Sequence, residues 1–138
     1  MHTLIIFILS LVAVSAQAQP AKGAGGEAAC ATQAKAWFQK EHGTESKAFE
    51  DGRARKSAYR SHYSAKLKQC LVLDEMTVTR ANGTTALSGR SLFTLEGDRR
   101  ASLGRVVGPQ KPLTCEMQGK RCESVEEWDK LAAVLMKE

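Results

Sequence analysis

The chain lacks nearly every spacing from which enzymes assemble a site. Beyond residue 18 it carries two histidines, His42 and His62, which form no i, i+4 pair and stand in none of the Cys/His intervals that zinc requires. There is no C-x-x-C for thiol exchange, no G-x-S-x-G turn, and no S-x-x-K with its companion motifs. Gly104 and Gly108 are isolated and read as bulges or turns, so no phosphate-cradling loop follows a strand. No internal repeat appears. No cofactor is expected.

The first 18 residues lack Lys, Arg, Asp and Glu altogether. They hold an apolar run from Leu4 to Val14, broken only by Ser10, and end on Ala16-Gln17-Ala18. This is the pattern of an export signal cleaved after Ala18, and it falls short of the roughly 20 residues that span a bilayer. Its front end departs from the usual form, because Met1-His2-Thr3 offers no lysine or arginine. Residues 19–26 are rich in Gly and Ala and predict a flexible leader. Residues 27–138 then make one domain, long enough for a core and too short for two.

What is present is cysteine and uneven charge. Cys30, Cys70, Cys115 and Cys122 all follow the signal, and an even count in an exported chain implies two disulfides. The chain has a net charge of +5, with seven basic against three acidic residues from His42 to Gln69 and six acidic against four basic from Glu116 to Glu138. Such polarity orients a molecule near an anionic surface without deciding its fold.

From Glu27 to His42, Cys30, Ala34, Trp37 and Phe38 make one helical stripe, with Gly43 placed as a C-terminal cap. Residues 44–56 read as a loop or short helix. Tyr59, Ser61 and Tyr63 alternate with Ala58, Arg60 and His62, and CLVLDEMTV follows as a strand with a buried run. Asn82-Gly83 predicts a two-residue hairpin loop with Val78 opposite Leu87. Near Gly97-Asp98 the register stays open: a five-residue loop pairs Leu95 with Ala101, and a two-residue loop mixes the faces. Pro109 and Pro112 should end the strands.

Ser124-Val125-Glu126-Glu127 is a capping box, and Val125, Trp128, Leu131, Ala132 and Leu135 form the buried stripe of a last helix. The expected fold is α+β: an antiparallel meander of about 4–5 strands with both helices on one face. A cysteine on the inner stripe of the first helix can meet the head of the central strand, which favours Cys30 with Cys70 and leaves Cys115 with Cys122.

The stretch RARKSAYRSHYSAKLKQC concentrates Arg53, Arg55, Lys56, Arg60, Lys66 and Lys68. These six are the candidate anion-binding residues. Single-strand nucleic-acid binders need cationic and stacking groups on one surface, but here Arg60 and His62 face away from Tyr59 and Tyr63. Specific nucleic-acid binding is therefore not expected, and weak contact with an anionic envelope surface is the second reading. His62 beside Tyr63 is the candidate base of a third, a small hydrolase.

Tyr63-Ser64-Ala65-Lys66-Leu67-Lys68-Gln69-Cys70, followed by Lys111-Pro112-Leu113-Thr114-Cys115, Cys122 and Trp128, resembles small exported proteins of unknown function from Gram-negative bacteria. The likeness covers about the second half of the chain plus Cys30. It implies export and the cysteine framework, and no activity or catalytic residue; departure is expected in residues 44–56. The leading expectation is a non-catalytic periplasmic or secreted domain that binds an envelope or secreted protein.

Overall fold

A computed structural model describes residues 26–96, 99–108 and 113–138. The expected signal at 1–18, nearly all of the leader, and the residues Gly97-Asp98 and Pro109–Pro112 lie outside the described residues. The element order is α1 (Glu27–His42), β1 (Ser46–Ala48), β2 (Ala54–Ser64), β3 (Gln69–Thr79), β4 (Thr85–Glu96), β5 (Arg99–Val107), β6 (Thr114–Met117), β7 (Lys120–Arg121) and α2 (Val125–Leu135). The strands form one antiparallel sheet in the order β1-β2-β3-β4-β5-β6-β7.

The class is α+β, but the sheet has seven strands where four or five were expected. The added strands are β1, β6 and β7. Ser46–Ala48 is exposed on both faces and so carries no apolar alternation. In β6, Cys115 and Met117 point inward while Thr114 and Glu116 are exposed. Gln118 and Gly119, at φ 51° and 74°, then make the tight turn into β7, since Met117 pairs with Lys120 across a two-residue loop of the kind that needs positive φ at both positions.

The helices do not share a face. Successive side chains of a strand point to opposite sides, and neighbours on β3 divide accordingly. Cys70 and Val72 pack with Phe93, Cys30 and Ala34 under α1. Leu71 and Leu73 pack with Leu92, Val106, Met117 and Trp128 under α2. Leu71, Val72 and Leu73 are all buried because the sheet is covered on both sides, the condition under which a strand reads as an unbroken apolar run.

Two registers depart from expectation. Val78 does face Leu87, but by another route. Gly83, at φ 79°, donates to the Arg80 carbonyl and Arg80 donates to Thr84, so the loop has three residues rather than two. A bulge between Val78 and Thr79 then restores the pairing. At the next hairpin Leu95 pairs with Arg100, which is the two-residue arrangement. A shift at Leu92/Phe93 returns the apolar residues to their face, setting Leu92 against Gly104. A Cβ at Gly104 would lie 2.6 Å from Met117 Sδ and 2.8 Å from the Glu116 carbonyl oxygen, so this glycine lets β6 lay Met117 across β5.

Both cysteine pairs are bonded as expected, Cys30 to Cys70 and Cys115 to Cys122. Among the described residues no cysteine is free, and no helix is long and apolar enough to cross a membrane. Disulfides of this kind belong to an oxidising, extracytoplasmic environment. Helix α1 ends at Gly43, whose amide donates to Gln39. In α2 the Ser124 hydroxyl accepts from the Glu127 amide, and the Glu127 carboxylate reaches back to the Glu123 amide. Leu131 is 41% exposed and leaves the predicted stripe.

Candidate functional site

The sequence singled out β2, and the ladder shows what that strand presents. Ser57 donates to the Glu45 carbonyl and the Arg53 carbonyl accepts from Phe49, so the odd-numbered residues of β2 turn their backbone groups away from β3. β1 runs beside β2 only from Ala54 to Lys56. Beyond the Ser57 bond the row is open until Tyr63, whose amide donates to Glu27 Oε2 at 2.9 Å. Between those two points the backbone groups of Tyr59 and Ser61 face outward, and no described residue of the protein bonds them. The flanking Ala58 and Arg60 are exposed.

α1 overhangs this edge on one face and is tied to it at both ends. At its start Glu27 Oε2 also lies 3.4 Å from His62 Nδ1. At its end His42 Nε2 lies 3.0 Å from Asp74 Oδ1, with both side chains largely buried. The His42 ring rests edge-on to Trp37 at 5.6 Å and against Phe38 at 4.9 Å. Arg55 donates to the His42 carbonyl at 3.0 Å, a cation at a helix C-terminus where the backbone carbonyls and the macrodipole favour it. Phe38 in turn packs on Tyr59 with centroids 4.6 Å apart. No local signal in the sequence marks the contact of His42 with Asp74, because the pairing crosses 32 residues.

The six basic candidates are not brought together. Arg53 lies in the β1–β2 turn against Asp51, Nε to Oδ2 at 2.6 Å; the Arg53 amide and guanidinium hold the Asp51 carboxyl below the usual range. Arg55 lies on the α1 face, whereas Lys56 and Arg60 lie on the opposite one. Lys66 and Lys68 sit in the turn at the far end of β2, and Lys66 meets Glu138 at 3.0 Å. An eleven-residue strand is on the order of 33 Å long, so the two ends are separate surfaces. Tyr59 and Tyr63 do pack under α1. Ser64 is buried and its oxygen accepts from Leu67, which shapes the turn that holds the Y-x-x-K-L-x-x-C residues.

Ser57, His42 and Asp74 gather near the end of α1, which raises the question of a hydrolytic triad. Ser57 is 4% exposed and its hydroxyl bonds neither residue, so the relay from nucleophile to base is not formed. His62 Nε2 is buried without a partner and its other nitrogen faces Glu27, a single acid. A recess of about 790 Å³ beside the β6–β7 hairpin is lined by Leu113, Glu116, Arg121 and Glu123 among others, and holds neither histidine. The described residues contain no cluster of three or more His, Cys, Asp or Glu suited to a metal. No protein family, curated protein or solved structure matches this chain.

Proposed function

We propose that the protein is a non-catalytic, exported domain of the periplasm or extracellular space that binds an envelope or secreted protein. The observation that carries this is the open edge of β2: a strand laddered on its other side to β3, which the Cys30–Cys70 disulfide ties to α1, presents outward backbone donors and acceptors that no described residue uses. Sheet edges of this kind are templates for pairing with another chain. The resemblance of residues 63–70 to small exported bacterial proteins supports the same compartment. Mature protein immobilised on a support should retain a partner from envelope extract that survives washing at moderate salt. Retention of nothing specific would overturn the reading.

Two other readings keep their tests. A hydrolase built on His62 requires that His62→Ala abolish turnover without lowering the melting temperature. Polyanion binding by the six bases requires heparin retention that falls steeply with salt. Their separation on two faces and two ends of β2 gives that reading less support than clustering would.

A further inference from the structure

We propose that the free stretch of β2 takes an extended acidic segment of the partner as an added strand; this rests on the binding-module reading above and names what the module binds. In line with β1, past Glu45, residues 58–62 of β2 face no described strand on that side, a stretch of about five residues or roughly 16 Å of extended chain. A strand laid there finds the outward amides and carbonyls of Tyr59 and Ser61. On the face away from α1 it runs beside Lys56 and Arg60, both exposed and neither in an ion pair among the described residues. Glu75, opposite Ala58 on β3, is the acid nearest to them by register, and Arg90 opposite it on β4 is held by Asp129. Lys56 and Arg60 together outnumber Glu75, so the balance on that face favours a carboxylate.

The edge already holds one. Glu27 Oε2 accepts from the Tyr63 amide and approaches His62, occupying the place a strand carbonyl would take. That side chain is 60% exposed, so it can turn aside where an incoming strand extends further. On the α1 side the edge shows Ser57, Tyr59 and Ser61 beneath a helix, which suits small side chains. The segment is therefore extended, acidic at alternate positions and small in between.

A second copy of this chain fits poorly. Antiparallel pairing centred on Arg60 sets Arg60 against its twin, and centring on Ala58 sets Lys56 against Arg60, while centring on Tyr59 or Ser61 places a histidine and no acid opposite Lys56 or Arg60. Like charges directly opposite oppose pairing.

The probe is a capped five-residue peptide alternating threonine and glutamate, added to isotope-labelled mature protein. The Tyr59 and Ser61 amides should shift and exchange more slowly, and a lysine-for-glutamate peptide should bind about tenfold more weakly. N-methylation of the peptide's bonding amides should remove binding. Arg60→Glu, an exposed change, should reverse the preference toward the lysine peptide, and Ser61→Pro, which deletes an outward donor, should weaken both. Unchanged Tyr59 and Ser61 amides at millimolar peptide, or equal binding of the two peptides, would overturn the proposal. A photo-crosslinking residue at position 58 should trap the natural partner; trapping from position 131 on α2 instead overturns the edge site while leaving the binding module intact. A chain that captures nothing overturns both.

Discussion

The two helices hold to the same sheet by different means. α1 buries Cys30, Ala34 and Phe38, two of them small, and leaves Trp37 half-buried. Its hold comes from a disulfide across 40 residues and from polar ties at both ends, Glu27 to β2 and His42 to Asp74. α2 buries Trp128 completely, with its indole nitrogen donating to the Glu116 carbonyl at 3.0 Å, and its disulfide closes only 7 residues. α1 adds a long covalent closure to its ring contacts with Tyr59 and Phe93, while α2 rests on one fully buried indole and a short closure. The open edge lies beside α1, and its strand is held by the ladder to β3, the strand to which the long disulfide ties that helix.

The largest effects should come from removing each anchor. Trp128→Ala should cost about 3–5 kcal/mol, since it opens a cavity and strands a carbonyl. Removing the long bridge with Cys30→Ala and Cys70→Ala should cost on the order of 4 kcal/mol, against about 2.5 kcal/mol for Cys115→Ala with Cys122→Ala. Urea unfolding of the three variants measures the difference. Hydrogen exchange sharpens it: without the long bridge the amides of α1 should lose protection before those around Trp128. Equal losses on both faces would erase the distinction.

Next in size is Gly104→Ala, on the α2 face alone. The new methyl would meet both Met117 and the Glu116 carbonyl, and overpacking of this kind costs about 1–3 kcal/mol. Thermal melts should show the loss. Met117→Ala in the same chain should relieve only part of it, because the backbone contact stays. On the α1 face, His42→Ala should lower stability by about 1–2 kcal/mol by leaving the largely buried Asp74 without its histidine contact.

How much of this was legible follows from where the physical signal was local. α1 was readable to its ends because Cys30, Ala34, Trp37 and Phe38 repeat at helical spacing and Gly43 stops the turn. α2 was readable from its capping box. The pairing of cysteines followed from placing Cys30 on the inner stripe. The two-sided burial of β3 was written in Leu71-Val72-Leu73, yet both helices were expected on one face; an unbroken apolar run already argues for cover on each side. β1 left no trace, because an exposed edge strand of three residues is held by backbone bonds that any side chain allows. The β2 edge could not be read either. Its openness depends on how far β1 runs and on Glu27 reaching across 36 residues, neither of which is encoded in neighbouring letters.

The smallest contrast is at the helix N-termini. α1 starts at Gly26 with no side-chain cap, whereas Ser124 caps α2, so Ser124→Ala should cost about 1 kcal/mol. The same turn holds Glu126, whose carboxyl is kept below the usual glutamate range by its own amide and then by the Ser124 hydroxyl. A carboxyl lowered on folding adds stability while both states are ionised and loses it as pH falls through the glutamate range. The group is exposed, so the effect is small. Wild type should therefore exceed Glu126→Gln in melting temperature near neutral pH and converge with it in acid, and Ser124→Ala should narrow that gap by removing one of the two donors. A gap that persists unchanged into acid would show that the ionised carboxylate is not its source, and the contrast between the two helix starts would then reduce to the serine hydroxyl alone.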